Sequence, residues 1–527
     1  MSATTSVDRS QSPARLDIPR QYNAASDFVD RHLATPTADK IAYIDDAGRY
    51  SYRELGERVN RAGNVLKNLG LAPEQRVALC LLDGIDFPSL FFGGIKAGQV
   101  MIPLNTLLTS EDYAYMLADS RAAVLVVSDA LLDRFTPILE RLPHLERVIV
   151  SGTGACGGHT RLDDLMGQAS PALPTAETTC DDIAFWLYSS GSTGRPKGAA
   201  HLMSDLVNTA VLYGEGVLGI EAEDRVFSAA KLFFAYGLGN AMSFPLWVGA
   251  TTVLMAERPT PESVMQRVKD NDITIFYGVP TLYAGILADE GIDRERSSAS
   301  LRMSVSAGEA LPEDVALRWK QRFGVDILDG IGSTEMLHIF LSNAPGDIRY
   351  GTTGRPVPGY RTRVVDEEDN EVADGEIGEL LVAGPSSAAF YWNNRAKSLA
   401  TFQGEWTRTG DKYVRDAEGY YTYAGRSDDM LKVGGIWVSP FEVESALMAH
   451  EAVLEAAVVG QEDDDRLVKP KAFIVLKQGR GDEALAAELQ GFVKGRLAPY
   501  KYPRWIDFRD ELPKTATGKI QRFKLRD

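Results

Sequence analysis

Four short apolar runs recur between residues 252 and 328, at 252–255, 273–277, 303–306 and 325–328. Helix-like text separates them, and the last such stretch starts after Pro312 and carries Val315, Leu317 and Trp319. This is a β–α–β–α series, and right-handed crossovers put the C-terminal end of every strand on one edge. Ligands of open α/β sheets gather at that edge. The polar loops Ala307-Gly308-Glu309 and 329–335 both follow such strands, so they are expected to be neighbours.

The same class of text precedes this series. Ser51 and Glu54 form a capping-box pattern ahead of Leu55, Val59, Ala62, Leu66 and Leu69, which share one helical face and end at Gly70. Runs 77–82 and 124–127 read as buried strands of a layered α/β fold. Towards the C-terminus, residues 425–435 are rich in glycine and charge, and a fresh pattern follows. Ser439, Pro440 and Glu442 mark a helix start. Runs 453–459 and 472–476 read as strands, and Leu485, Leu489, Phe492 and Val493 as one helix face. The expected organisation is therefore a polar arm over 1–24, a large domain over 25–427 and a small α+β domain over 428–527.

Composition removes several function classes. A net charge of −17 over 527 residues argues against general nucleic-acid binding, since a phosphate backbone rewards clustered Lys and Arg. Cys80, Cys156 and Cys180 are too far apart for a metal site or a disulfide framework, and the six histidines lack ligand spacing. The N-terminus lacks a signal-peptide core, and no uncharged apolar run reaches about 18 residues. A cytoplasmic protein without a membrane partner is expected, as monomer or homodimer.

The strongest local signal is Tyr188-Ser-Ser-Gly-Ser-Thr-Gly-Arg-Pro-Lys197-Gly198, which follows the apolar run 183–187 and precedes helix-like text from His201. Glycines and hydroxyl residues let backbone N–H groups converge on phosphate oxygens, and Lys197 adds charge. A Walker loop is excluded, because proline precedes Lys197 and glycine follows it.

This loop resembles the phosphate loop of the acyl-adenylate-forming superfamily, which includes acyl- and aryl-CoA synthetases. Four more segments match in order over roughly 25–525. Ala307-Gly308-Glu309-Ala310 resembles the adenine loop and Gly332-Ser333-Thr334-Glu335 the threonine–glutamate signature. Thr407-Arg408-Thr409-Gly410-Asp411 resembles the ribose signature, and Gly425-Arg426-Ser427-Asp428-Asp429 with Gly434-Gly435 the hinge segment. Pro513-Lys514-Thr515-Ala516-Thr517-Gly518-Lys519-Ile520 resembles the C-terminal lysine loop. The resemblance implies the adenylate-forming (luciferase-like) fold, with ATP, Mg²⁺ and coenzyme A as reactants or cofactors.

The implied roles follow the chemistry of joining two anions, which demands preorganised donors and cations. Ser189, Ser190, Gly191, Ser192, Thr193, Gly194 and Lys197 would receive the ATP phosphates. Ala307, Gly308, Glu309, Asp329, Gly330 and Ile331 would hold adenine, with aliphatic Ile331 where most relatives carry an aromatic. Asp411, with Arg426 nearby, would accept from the ribose hydroxyls. Glu335 would hold Mg²⁺, Thr334 would donate to the α-phosphate, and Lys519 would bridge substrate carboxylate and α-phosphate. Asp428 would be the hinge about which the small domain rotates, and Gly434 and Gly435 would line a tunnel for the coenzyme A thiol. Phe234, Ala235, Tyr236, Gly237, Ile331 and His338 would form the acid pocket. The text over 231–240 and 329–336 looks most like benzoate–CoA ligases of aromatic degradation. Other readings stay open here: a CoA ligase for another small aryl or short aliphatic acid, an adenylating enzyme that loads a carrier protein or feeds an oxygenase, and a nucleotide-binding sensor that has lost catalysis.

Overall fold

The computed structural model describes residues 4–526 apart from 190–194, 298, 428, 434–435, 464–466, 499 and 515–519. Among these, two large sheets dominate the first 390 residues. The first has the order Phe390–Tyr391, Lys197–Leu202, Ile183–Ser189, Val100–Pro103, Arg76–Cys80, Val124–Ser128, Arg147–Ser151, Thr160–Arg161. The second contains the sequence-predicted series as Thr251–Val253, Ile275–Gly278, Met303–Ser306 and Ile327–Gly332, all parallel, with the unpredicted strand Arg225–Ser228 lying between the first two. One core lies between the sheets, joining Val77, Leu79, Phe185 and Leu187 of the first to Val226, Ile275, Tyr277, Val305 and Leu328 of the second. Near-continuous apolar strands are what such double burial requires.

Helices Tyr52–Asn68 and Asp86–Ala97 pack closely inside this core. Ser51 accepts from the Glu54 amide and Glu54 reaches back to Ser51, so the expected capping box is present. The helices touch through glycine. A Cβ on Gly93 would lie 2.8 Å from both the Val59 carbonyl and the Gly63 amide, so no side chain fits between the backbones.

A third sheet, built around Ile377–Ala383 and Trp406–Arg415, carries Tyr421–Arg426 at its side. After it come the hairpin Leu431–Val433 and Ile436–Val438, then a three-stranded sheet of Val453–Glu462, Val468–Leu476 and Trp505–Phe508. Helices Pro440–Met448 and Glu483–Lys494 complete this smaller unit, which has its own core of Val443, Leu447, Val458, Ile474, Leu489 and Val493. Ser439 caps the first of these helices as its sequence predicts.

Two expectations need correction. The text from His201 is not helical: Lys197–Leu202 is a strand antiparallel to Ile183–Ser189, and the helix starts only at Asp205. Small and β-branching-neutral residues at 198–200 fit either state, and pairing on both edges decides for the strand. Residues 329–332 are not loop but the end of strand Ile327–Gly332, held by antiparallel pairing with Ile339–Ser342. The polar arm expected over 1–24 carries ordered structure. Its strands Ser6–Asp8 and Arg15–Asp17 form a hairpin. The Thr5 amide donates to the buried Asp27 carboxylate at 3.2 Å, and Arg9 pairs with Glu215.

The glycine contact between the two inner helices gives a test. Gly93→Ala forces backbone apart and should cost about 1–3 kcal/mol. Gly167, in helix Leu162–Gln168 with open space around it, should instead tolerate or gain from alanine by about 0.5–1 kcal/mol. Thermal melting of the two variants in parallel distinguishes the sites, and equal effects would contradict the packing argument.

Candidate active site

The site grows from the hairpin formed by Ile183–Ser189 and Lys197–Leu202. Its register pairs Phe185 with His201, Leu187 with Ala199 and Ser189 with Lys197, so these six side chains share one face. That face meets the segment 334–336. Ser189 Oγ donates to Glu335 Oε1 at 3.3 Å, and His201 Nε2 reaches the Thr334 carbonyl at 2.7 Å.

Glu335 is held from a second direction. Tyr391, on the edge strand beside Ala199, donates its hydroxyl to Glu335 Oε1 at 2.6 Å. The Lys197 ammonium lies 4.8 Å from the centre of the same ring. Burial pulls the Lys197 pKa down and Glu335 opposes that shift. Burial and the adjacent Glu335 both raise the Tyr391 pKa, so its proton stays on the phenol and in the bond. The Ala388 amide donates to the Glu335 carbonyl at 2.7 Å.

The two polar segments expected to be neighbours are neighbours. Strands Met303–Ser306 and Ile327–Gly332 are adjacent, with Ser306 opposite Asp329, so Ala307-Gly308-Glu309 and the 329–335 segment leave the sheet side by side. Gly308 has φ +96°, a conformation that suits glycine at this sharp exit. Asp329 is buried, its pKa rises well above the usual carboxylate range because of burial, and its Oδ1 has no hydrogen-bond partner among the described residues. Such an orphaned acceptor at the ligand edge fits a donor from outside the protein. Asp411 and Arg426 face each other across paired strands, with Nη1 donating to Oδ1 at 3.2 Å.

The acid-pocket candidates fall into two groups. Tyr236 and His338 meet: their ring centres are 5.6 Å apart, and His338 Nε2 donates to the Tyr236 carbonyl at 3.2 Å. The Tyr236 hydroxyl is anchored on the carbonyls of Gly278 and Val305 at 3.3 and 3.1 Å. Burial pulls the His338 pKa down to about 3, so the ring is neutral at working pH, and with Nε2 donating, Nδ1 is left as an acceptor. Phe234 instead leans on Phe233, with ring centres 4.4 Å apart, and Ala235 and Ile331 are half-buried beside the main core. Gly237 and Gly330 contribute closeness rather than lining. A Cβ on Gly237 would strike the Lys231 carbonyl at 2.1 Å, and one on Gly330 would meet Ile339 at 3.0 Å.

The small unit reaches this edge from outside. The Ile520 amide donates to Glu309 Oε1 at 2.9 Å, and Lys514 forms an isolated bridge with Ile520. Ser190, Gly191, Ser192, Thr193, Gly194, Asp428, Gly434, Gly435 and Lys519 lie outside the described residues.

Sequence reasoning missed Tyr391, His201 and Phe244. Phe244 packs edge-on to His338 with ring centres 4.4 Å apart. Nothing local marks Tyr391 or Phe244, which sit in aromatic-rich text. His201 had a signal, an Asp four residues later in strand-then-helix text, but only the corrected strand assignment gives it meaning.

Comparison with known proteins matches this geometry. The family model of AMP-binding enzymes covers residues 30–392, and that of the AMP-binding enzyme C-terminal domain covers 442–519. The benzoate–CoA ligase of Thauera aromatica is 62% identical over 99% of this chain and 98% of its own. The 4-hydroxybenzoate–CoA/benzoate–CoA ligase of Rhodopseudomonas palustris is 52% identical over 96% of this chain and 94% of its own. A benzoate CoA ligase structure from Burkholderia xenovorans LB400 superposes with a TM-score of 0.90 at 52% identity, covering 96% of this chain and 100% of that one. The anthranilate CoA ligase AuaEII, solved with anthranoyl-AMP, gives 0.94 at 46% identity over 97% of each chain. The chain belongs to the AMP-binding enzyme family, an adenylate-forming acid–CoA ligase with the two-part fold of that family and most like the benzoate–CoA ligases.

Proposed function

We propose that the chain converts benzoate, or a close aromatic carboxylate, with ATP and coenzyme A into the aryl-CoA thioester, AMP and pyrophosphate. The carrying observation is the convergence on Glu335 of the phosphate-loop hairpin, the threonine–glutamate segment and Tyr391, beside an adenine edge and an Asp411–Arg426 pair. The relatives' substrates support the acid and the thiol.

In the first step a carboxylate oxygen of the acid bonds to the α-phosphorus of ATP, and the bond to the pyrophosphate oxygen breaks. Ser189, Lys197 and the loop 190–194 bind the phosphates, and Thr334 donates to the α-phosphate. Lys519 offsets the negative charge that gathers between the two anions. Asp329 Oδ1 accepts from the adenine edge, Ala307, Gly308, Glu309, Gly330 and Ile331 frame the base, and Asp411 accepts from the ribose hydroxyls with Arg426 beside it. In the second step the thiol sulfur bonds to the acyl carbon, AMP leaves with the electron pair, and the thiol proton passes to solvent. We assign Asp428 as the hinge between residues 25–427 and 428–527 that exchanges the Lys519 loop for the Gly434–Gly435 thiol tunnel.

The donor set at Glu335, a carboxylate with hydroxyl neighbours, is the hard-oxygen chemistry Mg²⁺ prefers. Bound there, Mg²⁺ would neutralise phosphate charge. Glu335 itself is held ready by Ser189 and Tyr391, so its carboxylate needs little reorientation. For the acid, neutral His338 and the anchored Tyr236 offer ring faces without a competing charge, and Phe234, Ala235, Gly237 and Ile331 close the rest. We further propose a cytoplasmic enzyme; among the described residues no helix is long and apolar enough to cross a membrane.

The decisive assay supplies benzoate, Mg·ATP and coenzyme A and measures benzoyl-CoA; no product would reject the reading. Lys519→Ala should lower pyrophosphate release by about 100- to 1,000-fold and spare thioester formation from supplied benzoyl-adenylate. Asp428→Pro should do the reverse, because proline restricts the hinge dihedral. Equal loss of both half-reactions in either variant would contradict the division of labour. His338→Ala should open space beside Phe244 and admit bulkier ring substituents, read as a change in relative kcat/KM across substituted benzoates. An unaltered substrate order would put His338 outside the pocket.

A further inference from the structure

His201 and Asp205 are a fully buried polar pair that the reaction just described leaves unused. Their side chains are 0% and 2% exposed, and His201 Nδ1 lies 2.8 Å from Asp205 Oδ2. The Leu202 amide donates to the same oxygen at 3.1 Å. Phe185 stacks on the imidazole at 5.3 Å, and the apolar Leu206 and Val207 are buried next in chain. Burying such a pair among apolar groups is costly, and hydrocarbon of the same volume would often fill the space at less cost. The pair therefore calls for a reason beyond packing.

The reason lies in what the ring touches. His201 Nε2 donates at 2.7 Å to the Thr334 carbonyl, which belongs to the peptide joining Thr334 to Glu335. That carbonyl also receives the Leu337 amide, at a longer 3.2 Å. The peptide on the other side of Glu335 is fixed by the Ala388 amide at 2.7 Å. With both flanking peptide planes held, the backbone dihedrals of Glu335 are set, and Tyr391 and Ser189 hold the far end of its side chain. Both ring nitrogens face acceptors, so one proton lies on Nε2 and another is shared between Nδ1 and Asp205. His201 also sits on the same face of the same strand as Lys197. One rigid strand thus carries both a phosphate-binding cation and the group that orients the facing loop, 133 residues away in sequence.

We propose that His201, oriented by Asp205, is a positioning residue of the nucleotide-phosphate site: it fixes the Thr334–Glu335 peptide in register with Ser189 and Lys197. This rests on the adenylation reading of that site and not on the identity of the acid. Its loss should therefore weaken nucleotide binding and leave acid recognition alone.

The test uses the full chain and three variants. Calorimetry with magnesium α,β-methylene-ATP, without acid, gives a nucleotide Kd; pyrophosphate release gives KM for Mg·ATP and for benzoate. His201→Phe keeps a flat ring and removes the donor. It should raise the Kd and the Mg·ATP KM about tenfold, in line with losing one buried hydrogen bond, with the benzoate KM within about twofold. His201→Gln returns an amide donor where Nε2 was and should recover at least half of that loss. An unchanged nucleotide Kd, a benzoate KM that rises in step, or a glutamine variant as weak as phenylalanine would each overturn the proposal. If His201→Phe gives no cooperative melt, Asp205→Asn decides. It should raise the nucleotide Kd about two- to threefold with the benzoate KM unchanged, and no change in Kd would reject the role. Failure of the wild type to use benzoate would sink the substrate reading but not this one, because the Kd measurement contains no acid.

Discussion

The proposed site turns on holding one carboxylate, Glu335, where it would face phosphates that repel it. Hydroxyl donors at 2.6 and 3.3 Å, from Tyr391 and Ser189, share its charge. They come from separate strands of the first sheet, while Glu335 follows the last parallel strand of the second. The site therefore exists only where the two sheets meet, and the core between them fixes its geometry. The glycine-to-glycine approach of helices Tyr52–Asn68 and Asp86–Ala97 brings their buried faces into that same core.

The acid side is built on the opposite electrostatic principle. Tyr236 is partly buried and His338 buried and neutral, and the Tyr236 hydroxyl and His338 Nε2 donate to backbone carbonyls. What they present is ring surface. In the proposed reading, charge gathers at the phosphate end and ring surface at the aryl end, which suits a molecule with a carboxylate at one pole and hydrocarbon at the other. The small unit adds its contribution from outside, its Ile520 amide donating to Glu309 of the segment proposed to hold adenine.

Much of the fold could be read from the text. The parallel series ending at Ile327–Gly332, the capped helix from Ser51 and the capped helix from Ser439 all follow from apolar runs and local hydrogen bonding. The errors have one cause. At 197–202 and 329–332 the local text is small, glycine-rich and indifferent, and cross-strand pairing with distant segments decided the state.

For the site, the sequence by itself determined the chemistry available: a glycine–hydroxyl loop ending in Lys197, a threonine–glutamate pair, Asp411, and a lysine loop near the C-terminus. These are legible because phosphate binding needs particular residue types at short spacing. Only the tertiary structure decided which side chains hold them. Tyr391 reaches Glu335 across 56 residues, and His201 reaches Thr334 across 133. Neither has a spacing to recognise, because a supporting hydrogen bond depends on where two strands lie in space and not on how far apart they stand in the chain.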